Sequence, residues 1–193
     1  MTHSGLDKAV LETFAGLLEY PRGGEAGLAA EGMSALSGVH PEAASLLGGV
    51  RAFLAEAPRA RAEEVFTSTF DLQATCAPYV GVHLFGEGYK RRIFLAGLSA
   101  RYSSRGFSAG RELPDHITVV LRFLAGPADD EEARILVEDG LAPALAKMIE
   151  SFGDSGNPYA DVLRALRMVL LPGHHGDAAK GEREQSATEV GKP

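Results

Sequence analysis

The chain has 193 residues, 45% of them hydrophobic and 23% charged. That composition suits one ordinary domain with a real core and leaves too little for two. Nineteen Lys and Arg against 26 Asp and Glu give a formal charge of −7, a field that repels phosphate backbones and anionic headgroups and excludes nucleic acid as the expected partner.

Helical periodicity begins with Leu6, Val10, Leu11, Phe14, Leu17 and Leu18, which share one face, and Tyr20-Pro21 ends that helix. A Gly-rich stretch follows from Gly23, with a short helix expected near Ala26 to Leu36. Pro41 can open the next helix because its missing N–H has no partner there anyway, and Leu46, Leu47, Val50, Phe53 and Leu54 form its stripe. Beyond Pro58, Val65, Phe66, Thr69 and Phe70 face inward. The period then fails from Gln73 to Gly88, which reads as loop or irregular helix. Phe94, Leu98 and Tyr102 recur from Tyr89 to about Arg105, where Gly106 stops the helix. Ile117, Val120, Leu121 and Leu124 mark another. Asp129 to Glu132 suit the positive end of a helix carrying Ala133, Leu136 and Val137. Two further stripes run from Leu141 to Phe152 and from Tyr159 to Leu170.

No segment alternates over strand length, so the fold is expected to be all-α, a single-domain bundle of seven to nine helices over residues 1–171. Residues 172–193 have almost no large apolar side chains to offset the entropy of ordering and are expected to form a disordered tail. One cysteine, Cys76, allows neither an internal disulfide nor a Cys-based zinc cage. The N-terminus resembles no secretory leader, and no apolar run approaches the roughly 20 residues that span a bilayer. The expectation is a soluble, cytoplasmic protein without direct membrane insertion.

Chemistry is sparse. Gly86-Glu87-Gly88 has no preceding strand and no Walker or dinucleotide pattern around it, so it reads as a turn. Cys76 with His83 could form a nucleophile and base, but an isolated cysteine is more often a small buried apolar residue. His174, His175 and Asp177 lack a fourth ligand nearby, so no metal or other cofactor is expected. Two segments stand out. Phe70 to Gly86 crowds aromatic and aliphatic residues that one helix face cannot bury, so the stretch either plugs the core or lines a groove. In Glu112-Leu113-Pro114-Asp115-His116-Ile117, Pro and Asp open a helix.

Taken together, Phe70-Asp71-Leu72, the Tyr79 to Phe85 stretch, the Tyr89-Lys90-Arg91-Arg92 helix start and the Glu112 to Ile117 string resemble the nitrate reductase delta subunit family, the NarJ/TorD-like chaperones that mature molybdenum enzymes. Phe14 to Pro21 resembles the first helix of that family. The resemblance runs in matching order over roughly residues 6–126 and is most specific at Glu112, Pro114, Asp115 and His116. It implies a non-catalytic cytoplasmic chaperone, monomer or homodimer, that holds the N-terminal segment of a molybdoenzyme catalytic subunit while molybdenum cofactor is inserted, before complex formation or export. Arg92-Ile93 stands where the family carries a small residue and glycine, which leaves the client open between nitrate reductase and its relatives. The residues expected to form or support the peptide groove are Phe70, Tyr79, Val82, His83, Leu84, Phe85 and Tyr102. Glu112, Pro114, Asp115 and His116, near residues 111–116, are expected to act as a hinge between the two helical halves. Two other readings share the composition: a generic all-α adaptor that binds some other helix, and a small enzyme using Cys76 or His83.

Overall fold

A computed structural model describes residues 7–71, 76–127 and 130–171, and every regular element among them is helical. The tail from 172 onward, with His174, His175 and Asp177, lies outside the described residues, as do Leu6 and Asp129. Helix α1 (Lys8–Leu17) starts where the Asp7 carboxylate accepts the Ala9 N–H at 2.9 Å. Helix α2 (Glu25–Leu36) is secured by Glu25, whose carboxylate reaches back to the N–H groups of Arg22 and Gly23. Helix α3 (Pro41–Glu56) carries Pro41 in its first turn, and α4 (Arg59–Phe70) follows Pro58. The region without periodicity contains a six-residue helix, α5 (Val80–Phe85), too short to register as a stripe.

Helices α6 (Tyr89–Ser104) and α7 (Ile117–Ala125) come next, with Gly106 at φ +64° just past the end of α6. The expected separate helices near 129–137 and 141–152 are joined: α8 (Asp130–Ile135) runs through a π-helical turn (Leu136–Leu141) into α9 (Ala142–Glu150). The turn stops just before Pro143, which has no N–H for the Asp139 carbonyl one α-turn back and whose ring crowds that carbonyl, so the ladder is wound wider there. Counted as one rod, residues 130–150 bring the described helices to nine. Helix α10 (Pro158–Leu170) is capped by Asn157, which accepts the Tyr159 N–H at 3.0 Å and donates to Thr69 Oγ1 at 2.7 Å, tying α10 to α4.

The helices share one apolar core. α1 packs on α2 and α7, α2 on α3, α3 on α10, and α10 on α9. Leu11, Phe14, Leu47, Ile117, Leu121, Leu145, Met148, Leu163 and Leu166 are fully enclosed at its centre. Helix α6 is attached differently. Its chief helical neighbour is α5, and Arg91, Leu98 and Tyr102 are its buried residues, so most of a 16-residue helix faces outward. No described helix is long and apolar enough to cross a membrane.

Candidate functional site

Backbone pairing fixes α5 and α6 to the rest. Val80 N–H donates to the Asp115 carbonyl and Ile117 N–H to the Pro78 carbonyl, both at 2.8 Å, closing an isolated antiparallel bridge between Tyr79 and His116. Beneath it the Asp115 side chain is wholly buried, and Arg91 from α6 grips it through Nε at 2.8 Å and Nη2 at 3.2 Å. The same guanidinium holds both oxygens of Glu87 at 2.7 Å and lies 5.2 Å from the Tyr79 ring centroid. The hydrogen bond from Arg91 to Asp115 raises the already high guanidinium pKa further. Gly81 is required by this closeness: a Cβ there would sit 2.7 Å from Asp115 Oδ2 and 3.0 Å from Phe94 Cδ1.

His116 is the N-cap of α7. Its Nδ1 accepts the Thr118 N–H at 3.3 Å and lies 2.8 Å from Thr118 Oγ1, which fits the neutral ring with its proton on Nε2. Burial pushes its pKa below 6.5, outweighing Glu112, Asp115 and Glu19, which pull it up. The imidazole is therefore neutral at neutral pH, and its charge change falls on the acid side. Pro114 gives its carbonyl to the Tyr102 hydroxyl at 2.8 Å, while Glu112 and Leu113 remain exposed. Burial raises the Tyr102 phenol well above its ordinary value.

An open trough of about 260 Å³ lies between α5, α6 and the π-helical turn. Leu84, Phe85, Phe94, Leu98, Ile135 and Leu136 form its apolar walls, Gly97 and Gly140 contribute no side chain, and Arg101 and Asp139 supply the charges. This is smaller than the roughly 300–1,000 Å³ of typical small-molecule sites and suits a few side chains of another polypeptide. Phe85 of its wall is 43% exposed, and Tyr89 and Ile93, spaced by helical turns from Gly97 on α6, are 69% and 56% exposed, so apolar surface continues along that helix.

The structure distributes the expected groove residues over three settings. Leu84 and Phe85 line the trough. Val82 and His83 are half-buried on α5, with His83 Nε2 set 2.7 Å from the Ala77 carbonyl and its own carbonyl taking the Lys147 ammonium at 2.8 Å. Tyr79 is half-buried in the clasp, its ring edge-on to His116. Phe70 and Tyr102 are enclosed, Phe70 against Phe66 and Tyr159, Tyr102 against Phe107 and Phe123. Sequence reasoning did not single out Arg91, Gly97, Asp139 or Gly140. Phe94, Leu98 and Leu136 had shown only as core stripes, since periodicity marks an apolar face without saying what covers it. Cys76 is buried, and loss of solvation pushes its thiol pKa up to about 12, so it stays protonated and unreactive. No metal-binding group occurs among the described residues.

The sequence profile of the nitrate reductase delta subunit family matches residues 37–165, and the chain belongs to that family of redox enzyme maturation chaperones, which are not catalysts. Its clients are molybdoenzymes. A candidate redox enzyme maturation protein from Archaeoglobus fulgidus, known from its crystal structure, has a similar fold, with a TM-score of 0.60 at 21% identity over 88% of this chain and 97% of that one. No curated protein matches the sequence.

Proposed function

We propose that the protein holds the N-terminal segment of a molybdoenzyme catalytic subunit in the trough between α5, α6 and the π-helical turn. In the cytoplasm it keeps that subunit open until molybdenum cofactor has been inserted, before assembly or export. The observation that carries this reading is the trough itself, apolar, open, and continued by exposed Phe85, Tyr89 and Ile93 on a helix that the core leaves largely uncovered. A client segment laid in as an amphipathic helix would place anchors at i, i+3 or i+4, and i+7 against those walls. At about 25 cal/mol per Å² of apolar area a few anchors supply several kcal/mol, much of it offset by ordering the peptide, so micromolar affinity is expected and release stays possible. Leu84 and Phe85 contact the client; Val82 and His83 hold their helix in place, Tyr79 and Tyr102 fasten α5 and α6 to the 114–116 segment, and Phe70 acts only through the core packing of α4 on α10. Glu112, Pro114, Asp115 and His116 act as the hinge through which α6 and its wall adjust to the occupant.

The test is co-expression with candidate molybdoenzyme catalytic subunits, followed by calorimetry with their N-terminal peptides. Saturable binding of one peptide, weakened severalfold or more in Phe85→Asp and Ile93→Asp, is the expected result. Equal binding of unrelated amphipathic helices would make the protein a general helix adaptor, and no binding at all would remove the reading. If Asp115→Ala and His116→Ala leave both folding and client maturation unchanged, the hinge assignment fails.

A further inference from the structure

We infer that Gly97 and Asp139 set the specificity of the trough: the missing side chain at Gly97 makes room for a bulky apolar anchor, and the Asp139 carboxylate takes a Lys or Arg on the same client helix. The inference rests on the function proposed above and goes beyond it by assigning the two features of the occupant that are read.

Gly97 sits in the middle of α6, where glycine is the poorest helix former after proline. Nothing in the fold requires it. A Cβ at this position would meet no atom within 4 Å, and the backbone does not have the positive φ that favours glycine. Gly27 and Gly49 are equally unobstructed on α2 and α3, but Gly97 lines the trough, where any side chain would project into the space between α6 and the π-helical turn. Gly140, from that turn, lines the same gap. The bare backbone therefore keeps open a stretch of wall where a large client side chain can approach closely.

Asp139 is the acidic residue of the trough lining, and the wide π-helical winding places it there beside Gly140. It is exposed and takes part in none of the ion pairs among the described residues. The trough's other charge, Arg101, faces Glu132 at 3.8 Å, and Glu138 next along the turn is held by Arg134 at 2.6 Å. The trough thus offers one uncommitted negative charge beside apolar walls, on a molecule of net charge −7. The complementary occupant is an amphipathic helix with a cation flanking its apolar face, and charge of this kind sets partner choice and encounter rate more than total affinity.

The probe is the client N-terminal peptide that binds in the calorimetric test above, together with versions in which each Lys or Arg is changed to Gln or Glu. Gly97→Leu is expected to raise the melting temperature, because it improves helix propensity, while weakening peptide binding roughly tenfold or more. Misfolding cannot produce that opposite pair of effects. Asp139→Lys should weaken the native peptide and favour the peptide whose paired cation has become Glu, with the Asp139→Asn effect fading as salt rises. If a peptide binds but Gly97→Leu leaves its affinity unchanged, the size assignment is overturned. If the charge exchange restores nothing, the Asp139 assignment is overturned. Failure of every peptide to bind would overturn the proposed function and this inference with it.

Discussion

Arg91 and Asp115 lie 24 positions apart in sequence and form an ion pair that neither could replace with water, since the carboxylate is wholly enclosed. Removing the cation strands a buried negative charge, so Arg91→Met should cost about 3–5 kcal/mol in urea unfolding, with Arg91→Met combined with Asp115→Leu recovering part of the loss. His116 gives a pH signature of its own. Because burial holds its folded pKa below 6.5, the unfolded chain takes up a proton first as pH falls. The corresponding stability is complete above about pH 6.5 and drains away as pH falls through the folded pKa. Protonation also removes the Nδ1 acceptor that caps α7. His116→Asn, an N-cap that does not titrate, should flatten the stability profile on the acid side of about pH 6.5. Sequence marks His116 as a group that can change charge near neutral pH, and burial moves that change to the acid side; the partner of Asp115 is not marked, since Arg91 shows there only as part of the Tyr89-Lys90-Arg91-Arg92 helix start.

The elements themselves divide by how far they depend on their neighbours. Helices α1, α7 and α10 have continuous buried faces and side-chain caps from Asp7, His116 and Asn157, so spacing alone marks where they begin and which side packs. Helix α5 has six residues and no side-chain cap, too little to persist alone. It exists because Val80 and Gly86 donate to Asp115 and Val82, and because Gly81 lets Asp115, Arg91 and Phe94 close over it. Gly81→Ala should therefore destabilise the protein by about 1–3 kcal/mol, measured by thermal melting, although alanine is the better helix former. The π-helical turn is of the same kind, since the stripes ending at Val137 and starting at Leu141 read as two helices whereas the chain winds through Leu136–Leu141 as one rod.

Across the whole molecule, the apolar core accounts for the helices on its inner side and leaves α6 as an outer rail. Ile93→Asp alters a 56% exposed position and should move stability by no more than about 0.5 kcal/mol, while client-peptide affinity falls severalfold in calorimetry. A melting temperature that dropped sharply would place Ile93 in the core and remove it from the docking face. Composition, helical period and turn residues were enough to establish an all-helical chain, most of its helices and a family resemblance carried by Phe70-Asp71-Leu72 and Glu112 to Ile117, because these depend on residues near one another in sequence. Which apolar stripes are sealed and which stay open depended on tertiary packing. Phe70 and Tyr102 are enclosed by partners from α4, α7 and α10, whereas Leu84, Phe85 and Phe94 meet a gap, and burial is a property of the surrounding helices that a residue's own neighbours in the chain do not encode.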